Sequence, residues 1–212
     1  MKVIDDHGTK KIILDTGRTV PDRPQRILVA EDEHLVAAEI TARLTELGYV
    51  VVGPAVDGEA AIRLAHNGVP DLAVLDIRMP GPDGVAVAKD LYTTLGVPSI
   101  ILSAYSDGPT IAAAREAGVF AYLIKPASQD QIRAAIEIAW DRYLDLMRAR
   151  GERDELHRRL EERKFVESAK WILVDKKKMS EPDAMRALQK RARDTRSKLL
   201  DVCRDVIETG DF

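Results

Sequence analysis

One pattern restricts the possible fold more than any other. Between residues 26 and 140, short β-rich runs at 27–30, 49–52, 72–75, 99–102 and 120–124 alternate with segments of helical periodicity. Parallel strands need a crossover between them, and a helix is the usual one, so this repeat predicts an α/β domain: a doubly wound, five-stranded parallel sheet with helices on both faces. Ile27, Leu28, Val29 and Ala30 form a wholly apolar run, as do Leu72, Ala73, Val74 and Leu75. Strands buried on both sides read this way, which puts these two in the middle of the sheet.

The flanking segments follow other rules. Residues 1–25 carry an apolar run at 11–14, a hairpin signal at Asp6, His7 and Gly8, and a proline-bounded stretch at 21–24. They read as an N-terminal extension ending in a linker, a mobile tail without assigned function. After Lys125 and Pro126, Ser128 with Gln131 three residues on forms a capping box that opens a helix. Ile132, Ile136, Ala139, Tyr143 and Leu146 are spaced 4, 3, 4, 3, and Leu156 and Leu160 resume the stripe out of phase. Residues 132–139 should lie on the sheet that closes the domain at 26–140. The highly charged continuation, 141–162, is expected to pair with a second copy as a coiled-coil linker. Residues 163–212 read as a small three-helix all-α domain with breaks near 178–179 and near 195. Its stripes are Ala184, Leu188, Ala192 and Leu199, Val202, Cys203, Val206, and Ser180 caps the middle helix.

Composition excludes several classes. No apolar run is long enough to span a membrane and the first residues do not form a signal peptide, so a cytoplasmic chain without membrane contact is expected. A lone cysteine, Cys203, offers neither a disulfide nor a zinc cluster and is expected in the core. The net charge of −3 conceals an imbalance. Residues 1–147 carry 14 Lys and Arg against 21 Asp and Glu, or −7; residues 148–198 carry 17 against 10, or +7; residues 199–212 carry 1 against 4, or −3. A basic block behind an acidic domain points to an anionic partner. Arg186, Lys190 and Arg193, spaced 4 and 3, share one helix face.

The chemistry sits where the strands end. Open α/β sheets bind ligands outside the carboxyl ends of their strands, and there the sequence places Glu31, Asp32, Asp76, Ser103 and Lys125. Three converging carboxylates repel one another unless a cation joins them, and hard oxygen ligands suit Mg²⁺. A carboxylate beside Mg²⁺, a lysine and a hydroxyl together describe phosphoryl transfer onto that carboxylate.

The stretches ILVAEDE at 27–33, VDGEAA at 56–61, LAVLDIRMPGPDG at 72–84, IILSA at 100–104 and AYLIKPA at 121–127 resemble the receiver domain of two-component response regulators. The resemblance implies a flavodoxin-like sheet and a phosphoacceptor, Asp76, served by a sensor histidine kinase, in a protein that catalyses at most its own phosphotransfer and dephosphorylation. It also implies Mg²⁺ held by Asp32, Asp76 and the main-chain carbonyl of Arg78, with Glu31 acting through water in place of the family's usual aspartate. Ser103 and Tyr122 match its switch pair, acting toward residues 107–120. Lys125 matches its phosphate-contacting lysine, before a cis bond to Pro126.

From residue 163 to 208 the chain resembles the ANTAR domain through Ala169, Lys170, Ile172, Leu173, Ser180, Ala184, Leu188, Ala192, Leu199 and Val202. This resemblance implies binding of hairpin RNA in nascent transcripts and transcription antitermination by a homodimer, with Lys170, Arg191, Arg193, Arg196 and Lys198 as RNA contacts. Trp171 stands where the family usually has glycine and is expected to pack beneath the helices or to stack on a base. A DNA-binding response regulator and an adaptor working through protein contacts are the alternatives.

Overall fold

The computed structural model describes residues 2–6, 9–14, 17–104 and 117–210. The chain forms two compact units, residues 1–151 and 152–212.

The first unit opens with three antiparallel strands in sequential order, β1 (Lys2–Asp6), β2 (Thr9–Ile13) and β3 (Thr19–Val20). The expected hairpin is present, with Asp6 paired to Thr9; His7 and Gly8 lie outside the described residues. The extension is not the free tail anticipated from its composition. Ile12 and Val20 are buried in the main core, and Leu14 packs against it. Two apolar residues held on one side of a small sheet bury enough surface to order a segment whose sequence alone reads as a linker.

Five parallel strands follow: β4 (Arg26–Ala30), β5 (Val50–Ala55), β6 (Leu72–Leu75), β7 (Ser99–Ser103) and β8 (Val119–Ile124). Their order is β5-β4-β6-β7-β8, the flavodoxin-like arrangement. The two all-apolar runs are neighbouring strands inside the sheet, and Leu72 through Leu75 are fully buried. Helices α1 (His34–Glu46), α2 (Gly58–Gly68) and α3 (Gly84–Leu95) connect strands. The Asp57 and Asp83 side chains cap the latter two, accepting from the Ala60 and Ala86 amides at 2.6 and 2.8 Å. One core lies between the sheet and α1; the other lies under α2 and α3.

Helix α4 (Gln129–Lys177) starts at the expected capping box: the Gln131 amide donates to Ser128 Oγ at 3.3 Å, and the Ser128 amide donates to Gln131 Oε1 at 2.7 Å. Its burial extends further than the spacing argument allowed. Trp140, Tyr143, Leu144 and Met147 belong to the same core as Ile132 and Ile136. Tyr143, read as the start of an intermolecular coil, is 1% exposed and its hydroxyl donates to the Gly96 carbonyl at 2.7 Å. A 4-3 stripe looks the same whether a sheet or another helix covers it, and here the sheet domain covers it as far as Met147.

In the second unit, α4 continues and α5 (Glu181–Asp194) and α6 (Leu199–Thr209) complete a three-helix module, with breaks close to those read from sequence. Ser180 caps α5 by accepting from the Asp183 amide at 3.3 Å. The core is Ala169, Leu173, Ala184, Leu188, Val202, Cys203 and Val206, so Cys203 acts as a small buried apolar group. No helix among the described residues is long and apolar enough to cross a membrane.

Candidate functional site

The carboxyl ends of β4, β6, β7 and β8 deliver the active residues to one crevice. It encloses about 200 Å³ and is lined by Asp32, Glu33, Asp76, Arg78, Ser103, Ala104 and Lys125. Register explains the convergence: Ala30 pairs with Leu75, so Glu31 and Asp76 leave adjacent strands at the same level. One carboxylate oxygen from each of Glu31, Asp32 and Asp76 lies within 4.8 Å of the others.

Lys125 neutralises part of this cluster, its Nζ lying 2.5 Å from Glu31 Oε2 and 3.2 Å from Asp76 Oδ2. Burial pulls the lysine toward neutrality, but the two carboxylates outweigh it and raise its pKa above the ordinary value. Glu31 is 1% exposed, and desolvation raises its pKa despite the lysine. Lys125 is the near cation on Oε2, and neither buried Glu31 carboxylate oxygen makes a hydrogen bond of ordinary geometry. Buried acceptors in this state demand a donor. A water on a metal ion held by Asp32 and Asp76 would supply one, so the residues present fit a hydrated divalent cation. Asp76 Oδ1 accepts from the Ile77 amide at 2.8 Å, which fixes its carboxylate and leaves Oδ2 turned to Lys125.

Ser103 is buried at the end of β7, in the crevice wall. Tyr122, partly buried, packs against the core under α2 and α3. The bond from Lys125 to Pro126 is cis, as the resemblance implied. Of the expected switch region, residues 107–116 lie outside the described residues.

Two contributors were not read from the sequence. Gly84 opens α3 so close to the Asp76 backbone that a Cβ there would collide with the Asp76 carbonyl, and its amide donates to the Ile77 carbonyl at 3.0 Å. Asp71, at the opposite end of β6, accepts from the Gln25 and Arg26 amides at 2.8 and 2.9 Å and from Arg18. Glycine in a proline-rich loop was a visible signal for the first; an aspartate before a strand carried none.

In the helical module the expected RNA contacts divide. Arg191, Arg193, Arg196 and Lys198 are exposed near the turn between α5 and α6, with Arg196 left-handed at φ 54°. Lys170 is instead largely covered and paired with Glu167 at 3.0 Å and Glu181 at 3.5 Å. Trp171 does not pack beneath the helices: it is 59% exposed, on the side of α4 opposite the buried Ala169 and Leu173. The ridge residue Arg186 is paired with Asp183 on its own helix.

Comparison with known proteins agrees with this division. The response regulator receiver domain model matches residues 27–137, and the ANTAR domain model matches residues 154–207. The transcriptional regulatory protein PdtaR of Mycobacterium tuberculosis is 40% identical over 186 residues, which is 88% of this chain and 91% of that protein. Among solved structures, the receiver domain of a modulated diguanylate cyclase from Desulfovibrio desulfuricans G20 has a TM-score of 0.53 and 36% identity. It covers 57% of this chain and 97% of that one. The Francisella response regulator 1452 receiver domain has a TM-score of 0.51 and 31% identity, covering 56% and 98%. With the acidic crevice at the strand ends and the three-helix module behind it, the chain belongs to the response regulators that join a receiver domain to an ANTAR domain.

Proposed function

We propose that this chain is a phosphorylation-controlled antiterminator that binds hairpin RNA in nascent transcripts. The convergence of Glu31, Asp32 and Asp76 within 4.8 Å, with Lys125 3.2 Å from Asp76, is the observation that carries the reading. Asp76 Oδ2 is the nucleophile: it bonds to phosphorus as the bond from phosphorus to the kinase histidine nitrogen breaks, and the ring, protonated on its other nitrogen, keeps the electron pair and leaves as neutral imidazole. Asp32, Asp76 and the Arg78 carbonyl would hold Mg²⁺, which would supply positive charge against the phosphoryl oxygens. Lys125 then exchanges its carboxylate partner for a phosphoryl oxygen, and the Ser103 hydroxyl donates to another. The Tyr122 ring follows Ser103 inward. The new group adds about −1.5 to −2 charges and three acceptors, which is enough to reorder the loops that hold these side chains.

The output end is the ANTAR module. Arg191, Arg193, Arg196 and Lys198 surround one turn and are placed to track a hairpin's phosphates, whereas the carboxylate partners of Lys170 give that residue a positioning role. PdtaR is named as a transcriptional regulatory protein, and a similar output is assigned here. Beyond Met147, Leu156 and Leu160 stand 60% and 59% exposed on α4, which supports pairing of two chains through the part of 141–162 that lies past Met147.

The test combines titration and sizing. Binding of a labelled hairpin RNA and of duplex DNA is measured across a salt series, with mass by light scattering, before and after a phosphodonor and Mg²⁺. A steep salt dependence, RNA preference and a dimer that forms on phosphorylation are expected, and replacing Arg193 or Lys198 by alanine lowers the slope by about one. Asp76→Asn removes the response to the donor. Preference for duplex DNA, or no salt dependence with either, would replace RNA by DNA or by a protein partner.

A further inference from the structure

Strand β8, which carries Tyr122, has one residue more than its neighbour. Ser99 pairs with Val119 and Ile100 with Ala121, so Phe120 is a bulge. A bulge re-aims the side chain it carries. Here Phe120 joins the core beneath α4 together with Ala121 and Leu123, while Val119 and Tyr122 pack on the other core.

The Phe120 ring is the middle of a chain of rings. It meets Tyr143 edge-on, with centroids 5.6 Å apart and planes at 87°, and lies 5.9 Å from Tyr92. Tyr143 in turn stacks against Trp140 at 5.3 Å. Every ring beyond Phe120 is anchored by its polar atom. Tyr143 donates to the Gly96 carbonyl at 2.7 Å, Trp140 Nε1 donates to the Asp22 carbonyl at 3.0 Å, and Arg150 donates to the Tyr92 hydroxyl at 2.9 Å. The Arg150 guanidinium also lies 5.7 Å from the Tyr92 centroid. The rings therefore join β8 to the end of α3, to the extension and to α4 as far as Arg150. Tyr143 and Trp140 are buried while Phe120 and Tyr92 are half-buried against them, and rings in contact whose polar atoms are anchored resist rotating aside, so movement of the strand is passed to the elements it touches.

We propose that the Phe120 bulge is a coupling element that passes displacement of β8 at Tyr122 and Lys125 into α4 at Tyr143 and Arg150. Because α4 runs on without a break to Lys177, the coupled helix is the one that enters the ANTAR module. The proposal rests on the reading of Asp76 as the phosphoacceptor, which supplies the displacement.

The experiment is hydrogen–deuterium exchange on the full chain with Mg²⁺, with and without beryllium fluoride as a mimic of the carboxylate-bound phosphoryl group. Peptides spanning 76–84, 119–125 and 139–151 are followed in the wild type, in Phe120→Leu and in Tyr143→Leu, which removes the facing ring from the helix side. Exchange is expected to change in all three segments of the wild type. In both variants the first two segments should respond as before and the third should lose its response. A variant that keeps cooperative unfolding and a wild-type response at 139–151 overturns the proposal. So does a wild type whose 76–84 segment responds while 139–151 does not. Silence in every wild-type segment removes both readings, and the unresponsive 76–84 segment identifies the acceptor assignment as the one that failed.

Discussion

At the scale of single residues, the site depends on groups whose partners lie far away in sequence. Glu31 follows an apolar strand and would pass for an ordinary turn residue. Its weight comes from being 1% exposed beside Asp32 and Asp76, with Lys125 as its near cation. Glu31→Gln keeps the shape and removes the charge, so Mg²⁺ affinity should fall about ten- to a hundredfold. Titration calorimetry with Mg²⁺ reads this directly, and unchanged affinity would remove Glu31 from the site. Gly84 acts through absence: any side chain there meets the Asp76 carbonyl, so α3 approaches Asp76 this closely only with glycine at its start. Lys125 holds two carboxylates and must release at least one for a phosphoryl group to enter.

At the scale of elements, the extension and α4 are where local pattern and final packing part company. Residues 1–25 mix polar and apolar types in proportions typical of a linker, yet β2 and β3 put Ile12 and Val20 into the receiver core, and Arg18 reaches Asp71. Ile12→Ala should therefore cost about 2–5 kcal/mol, as for any large aliphatic truncated in a core. Urea unfolding followed by circular dichroism checks this, and a cost near zero would return the extension to the status of a tail. Helix α4 was readable as a helix from its capping box and its lack of proline between Pro126 and Pro182. Where its buried stretch ends was not readable, because periodicity reports that a face is apolar and not what covers it. Past Met147 the helix surface carries i,i+3 and i,i+4 pairs such as Arg158 with Glu155 and Glu162, a pattern that supports a solvated helix with little help from packing.

At the scale of the whole molecule, the acidic and the basic stretches belong to two units that have separate cores. The receiver has two apolar clusters on either side of a sheet; the ANTAR module has one, built from Ala169, Leu173, Ala184, Leu188, Val202, Cys203 and Val206. Leu188→Ala should destabilise the small module by about 2–5 kcal/mol and leave the receiver's stability unchanged. Differential scanning calorimetry should show one transition moving to lower temperature while the other stays, and a single shifted transition would mean that the two units unfold together. The +7 of residues 148–198 is not all available to an anion: Lys170 and Arg186 are paired within the module, while Arg191, Arg193, Arg196 and Lys198 are exposed near the turn between α5 and α6 and others, such as Lys176 and Lys177, are exposed on α4.

The sequence by itself determined the order of strands and helices, the identity of the acidic and basic residues at the strand ends, and two apolar stripes of the C-terminal module. These follow from local rules: side-chain period, capping residues and the chemistry placed after each strand. Tertiary structure decided which residues those rules left ambiguous. It folded the extension, extended the receiver core along α4 to Met147, turned Trp171 to solvent and paired Lys170 internally. It also added the Phe120 bulge, which depends on β7 and β8 lying side by side with one residue to spare. All of these depend on contacts between segments remote in the chain, and periodicity carries no information about which segment will supply the partner.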